Sequence, residues 1–186
     1  MKKYNGFESK MSGEYDQLEP GGYVCEIKNA EVLTYNGGER LLLSIDIAEG
    51  EKKGYYTKRY KEDTREDKKW AGTFNLFLPK DDGSEQDGWA KNRMNNLIGC
   101  IEDANDGYHW DWDERKLRGK KVALVFRKEE YTKRDGGSGW AVKPFKAISV
   151  GNCRDGKWGK YDDKPLANKQ QPMFAEEKDP LDDLPF

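Results

Sequence analysis

The sequence predicts a mainly β domain, a small barrel with one helix, followed by a polar tail. Three observations point there. Two pairs of alternating apolar runs flank turn signals, one stretch carries a helical period, and residues 151–186 are too poor in apolar side chains to build a core.

In chain order, residues 1–20 read as a flexible leader to the domain. Tyr23 to Leu33 and Arg40 to Ala48 flank Tyr35-Asn36-Gly37-Gly38, and Leu41, Leu43, Ile45 and Ile47 alternate as a half-buried strand requires. These two runs form a hairpin. Tyr55 to Lys61 and Thr73 to Leu78 read as shorter strands of one extended excursion, separated by the polar loop Glu62 to Lys69. From Trp89 to Ala104 the residues Trp89, Met94, Leu97, Ile98 and Ile101 recur at helical spacing, with Asp87 as a cap. Lys120 to Arg127 and Trp140 to Val150 make a second hairpin across a loop that contains Asp135-Gly136-Gly137-Ser138-Gly139. Three strands, a helix and two strands fit a five-stranded OB-fold Greek-key barrel, although a small sandwich would give a similar string. Residues 151–186 lack Val, Ile and Thr and hold four of the seven prolines. They read as a disordered tail, so the folded domain is expected to span residues 21–150.

Composition narrows the function. The chain has 186 residues, room for one domain and an appendage, and its charged share of 37% exceeds its hydrophobic share of 35%. No run is long and apolar enough to span a membrane or serve as a signal peptide, which predicts a soluble cytoplasmic protein. Cys25, Cys100 and Cys153 form no CxxC pair and read as free thiols, and His109 is the single histidine. An enzyme is therefore not expected, nor is a metal or a cofactor. The acids from Glu102 to Glu114 miss the spacing of a calcium loop. Gly151 to Lys157 resembles a phosphate loop, but Trp158 stands where Ser or Thr would hold magnesium.

Net charge is -2, but the last eleven residues hold five acids and one lysine, which leaves residues 1–175 at +2. Aromatics interleave with bases in two places. The first carries Tyr55, Tyr56, Lys58, Arg59, Tyr60, Lys61 and Trp70; in a strand, Tyr56, Lys58 and Tyr60 would share one face. The second carries Tyr131, Lys133, Arg134 and Trp140 at the last hairpin. Flat rings beside cations suit single-stranded nucleic acid, each stacked base contributing about 1–3 kcal/mol. The competing expectation is that these rings fill the barrel while the cations form a solvated face. Phe74, in phase with Leu76 and Leu78, reads as core.

The chain closes with Asp179-Pro180-Leu181-Asp182-Asp183-Leu184-Pro185-Phe186. Phe186 can enter an apolar pocket, its carboxylate can meet an arginine, and the aspartates can meet a basic rim. Asp-Asp-Leu-Pro-Phe resembles the acidic tip of bacterial single-stranded DNA-binding proteins, and the body looks more like their divergent phage-type members, through Tyr23-Val-Cys-Glu-Ile and the helix-to-strand region. The resemblance implies that Asp182, Asp183, Leu184, Pro185 and Phe186 recruit replication, recombination and repair proteins such as helicases, nucleases and recombination mediators. It also implies a place in the bacterial cytoplasm, with the nucleoid. The expectation is a non-enzymatic protein that binds single-stranded DNA with little sequence preference. A free strand edge could pair with another copy, with no number fixed. One rival is an adaptor or decoy that engages host enzymes through the tip without binding DNA; another is a metal-dependent nuclease using the acids from Glu102 to Glu114.

Overall fold

The computed structural model describes residues 17–35, 38–133 and 135–167. Five strands, β1 (Gly21–Tyr35), β2 (Gly38–Ile47), β3 (Thr73–Phe77), β4 (Lys121–Thr132) and β5 (Ser138–Ile148), form one antiparallel sheet in the order β3-β2-β1-β4-β5. The edge strands β3 and β5 meet, rolling the sheet into an OB-like barrel. Helix α2 (Glu85–Ala104) joins β3 to β4 and packs on β3, β4 and β5. It is fastened to β5 by Arg93 Nη2 donating to Phe145 O at 3.1 Å and Asn96 Nδ2 donating to Ala147 O at 2.9 Å.

The alternation visible in β2 becomes the barrel interior. Leu41, Leu43, Ile45 and Ile47 are buried against Cys25 and Ile27 of β1, Phe74 and Leu76 of β3, Leu97 and Ile101 of α2, and Val122, Leu124 and Phe126 of β4. Each such aliphatic side chain contributes about 1.5–3 kcal/mol by leaving water. A register shift between Ile27 and Asn29 lets Ala30 face inward as Ile27 does, despite their odd separation.

Three expectations are corrected. Tyr55 to Lys61 is not a strand: it is helix α1 (Tyr55–Glu62). Gly54 turns the chain into it with φ 74°, and no side chain of its own caps it. The cap comes from β2, where the buried carboxylate of Asp46 accepts from Tyr56 N at 2.9 Å, Thr57 N at 3.2 Å and Thr57 Oγ1 at 2.5 Å. Second, α2 starts four residues before Trp89, capped by Ser84, whose Oγ accepts from Asp87 N. Asp87 instead accepts from Asp81 N and pairs with Lys91 at 2.9 Å.

Third, the folded domain extends beyond residues 21–150 on both sides. Leu18 is buried in the core. Past β5, helix α3 (Val150–Arg154) packs Val150 and Cys153 onto Val24 and Ala123, on the outside of β1 and β4. Trp158 then lies over Gly21 and Gly22, and Tyr161 meets Phe145 edge-on at 4.8 Å. Lys164 pairs in parallel with Glu129, its N–H donating to Lys128 O and its carbonyl accepting from Glu130 N, both at 2.8 Å. This strap occupies the edge of β4 that β1 leaves unpaired beyond Phe126.

Candidate functional site

The helical form of α1 rearranges the first aromatic-basic patch. Positions four apart share a helix face and positions two apart do not, so Tyr56 and Tyr60 align while Lys58 points elsewhere. Tyr56 is buried, with Gly72 against its ring, and Tyr55 packs partly on the core. Trp70 is half-buried and anchored, its indole N–H donating to Gly72 O at 2.9 Å and Ile45 O at 3.1 Å. Tyr60 is the most open ring of the group, 5.8 Å from Trp70 and with Lys68 Nζ 4.7 Å above it. Lys58, Arg59 and Lys61 are exposed. Arg65 is occupied by Asp63, whose carboxyl it holds down at about 2 through side-chain hydrogen bonds.

The second patch divides. In the β4–β5 ribbon Tyr131 pairs with Gly139 and Trp140 with Glu130, so Tyr131 and Trp140 lie on opposite faces. Trp140 is half-exposed, on the face continuous with the barrel interior. Tyr131 is exposed on the outer face, with Lys143 Nζ 5.9 Å from its ring and Lys133 beside it over Gly139. Arg134 and the tip Asp182 to Phe186 lie outside the described residues.

A third cluster was missed from sequence. Arg40 pairs with Phe77 across β2 and β3, and with Leu33 across β2 and β1, on the outer face of the barrel. Its guanidinium stands between two rings, 4.0 Å from the centroid of Phe77 and 4.9 Å from that of Tyr35. Both rings are more than half exposed, Phe77 at 55% and Tyr35 at 51%. The stem of Lys80 runs beside Gly38, at the turn end of the β1–β2 hairpin. Arg40 has no carboxylate partner among the described residues, and its Nε is buried without an acceptor. The readable signal was phase: Phe74 and Leu76 point inward, so Phe77 must point out.

Three of the acids from Glu102 to Glu114 are engaged locally. Asp111 pairs with Lys116, Asp113 with Arg115 at 2.8 Å, and Glu102 accepts from Trp110 N at 2.7 Å. No group of three potential metal ligands occurs among the described residues. Trp112 is 82% exposed, with φ 67°, and its ring lies 6.1 Å from that of Trp110. Gly151 to Lys157 forms α3 and the turn after it, where Lys157 bonds Asp155 at 3.0 Å. No described helix is long and apolar enough to cross a membrane. A scan against protein-family models and a search of curated proteins return no match to the chain.

Proposed function

We propose that this protein binds single-stranded DNA with little sequence preference and brings DNA-processing proteins to it through Asp182 to Phe186. The observation that carries the reading is the exposed Tyr35–Arg40–Phe77 cluster on the outer face of β1, β2 and β3. OB barrels present the face of their second and third strands to oligonucleotides, flanked by the loops that join strands 1 to 2 and 4 to 5. Tyr60 and Tyr131 add exposed rings next to lysines. Aromatic faces tolerate any base, and cations meet the phosphates, which gives affinity without a sequence code.

Titration with oligo-dT, followed by tryptophan fluorescence at two salt concentrations, tests the reading. Full-length protein is compared with a variant ending at Ala175. Quenching that weakens with salt is expected, with tighter binding once the acidic tip is gone. No quenching at low salt would sink the DNA-binding reading and favour an adaptor acting through the tip alone. The inward Tyr56 and anchored Trp70, which remove part of the expected stacking surface, are the features that favour that adaptor.

A further inference from the structure

On the barrel exterior, Arg40 of β2 holds its guanidinium over two aromatic rings from the strands on either side, Tyr35 of β1 and Phe77 of β3. A guanidinium offers two kinds of contact: its flat faces stack, and its edge presents N–H donors in a fork that matches two oxygens of a phosphate. Here two rings already lie close to the guanidinium, Phe77 at 4.0 Å and Tyr35 at 4.9 Å from centroid to Cζ, and compete with a nucleobase for its faces. The edge remains, and no described carboxylate neutralises it. The Nε–H is buried without an acceptor, so the outward donors are those of the Nη atoms. The ring faces turned away from Arg40 belong to two half-exposed side chains.

We propose that Tyr35, Arg40 and Phe77 form a two-base subsite in which Arg40 takes one backbone phosphate while one base stacks outside each ring. The inference rests on the single-stranded DNA reading and specifies how this face would hold the strand. The guanidinium acts as a charged spacer: it holds the rings apart, so adjacent bases unstack from each other and settle on opposite sides of the phosphate between them. Lys80, beside Gly38, adds a second positive charge at the same end of the sheet. Tyr35, Arg40 and Phe77 are not part of the barrel core, so their replacement leaves the interior packing intact.

The test uses full-length protein, fluorescent oligo-dT and an abasic deoxyribose-phosphate strand, with affinity measured across a salt series. For single strands the slope of log affinity against log salt changes by about 0.7 for each phosphate neutralised. R40Q is expected to weaken oligo-dT about tenfold at low salt and to flatten the slope by about 0.7. The same flattening is expected on the abasic strand. R40K, which keeps the charge and loses the fork, is expected to retain the wild-type slope with weaker binding. F77A is expected to weaken oligo-dT and leave the abasic strand unaffected. Thermal unfolding of each variant checks that the barrel is intact. An unchanged slope in R40Q would overturn the phosphate role while leaving the DNA-binding reading standing, with the arginine acting only as packing between rings. Wild-type protein that binds neither strand at low salt would overturn both.

Discussion

Glu49 and Arg154 are 105 residues apart in sequence and meet in two hydrogen bonds, Arg154 Nη2 to Oε1 at 2.7 Å and Nε to Oε2 at 3.1 Å. Lys121 Nζ adds a third contact to Oε1 at 3.2 Å. The Arg154 hydrogen bonds hold the Glu49 carboxyl down at about 2, against an ordinary 4.5. Because the folded value is the depressed one, the stabilisation is fully present above about 4.5 and is lost as pH falls towards about 2. The melting temperatures of wild type and E49Q are therefore expected to differ at neutral pH and to converge across that window. A gap that stays constant down to pH 2 would contradict it.

Asp46 is expected to be the costliest polar residue to remove. Its buried carboxylate serves backbone N–H groups of Ile47, Tyr56 and Thr57. D46A would orphan them, at about 1–3 kcal/mol for each buried donor left unsatisfied. Thr57→Val removes only the hydroxyl bond and should cost about 1 kcal/mol. Urea midpoints at equal slope would rank the two; equal losses would mean that α1 does not depend on this cap.

Two glycines should respond in opposite directions to alanine. At Gly72 a Cβ would collide with the Ile45 carbonyl and come within 2.6 Å of the Tyr56 ring, so G72A is expected to lose about 1–3 kcal/mol by overpacking. Gly99 lies inside α2 with open space around it, and G99A should gain about 0.5–1 kcal/mol through helix propensity. Chemical denaturation of both variants settles the signs.

The three cysteines should be silent towards a thiol reagent in the native protein. All are buried. Loss of hydration pushes the Cys25 thiol far up, Cys100 up to about 11, and Cys153 upward as well. Thiolate is the reactive form, so at pH 8 labelling should await unfolding and then reach all three. Rapid labelling of Cys153 in the folded protein would show that α3 lifts away from β1 and β4.

How much of this was legible follows from how local each cause is. The β1–β2 hairpin was readable because Leu41, Leu43, Ile45 and Ile47 carry their own alternation, and α2 because Met94, Leu97 and Ile101 carry theirs. Helix α1 was misread because its cap, Asp46, lies ten residues upstream of Tyr56 on another element, and Tyr56-Thr57-Lys58-Arg59-Tyr60 suits either period. The strap was misread because composition alone cannot show that Gly21 and Gly22 leave a bare surface for Trp158. The same limit applied to the candidate site. Runs of basic and aromatic residues drew notice at Tyr55 to Trp70, whereas Tyr35, Arg40 and Phe77 come together only through strand register.

The strap also sets when the protein can fold. β1 must wait for Lys121 to Phe126 to supply one neighbour, and its first two glycines for Trp158 to cover them. During synthesis, therefore, the first three strands emerge long before the residues that seal them, with the outer side of β1 bare. Closure through such distant partners is slow, on the order of milliseconds to seconds for β topologies. The nascent meander is the species most exposed to aggregation, and the one a chaperone would have reason to meet.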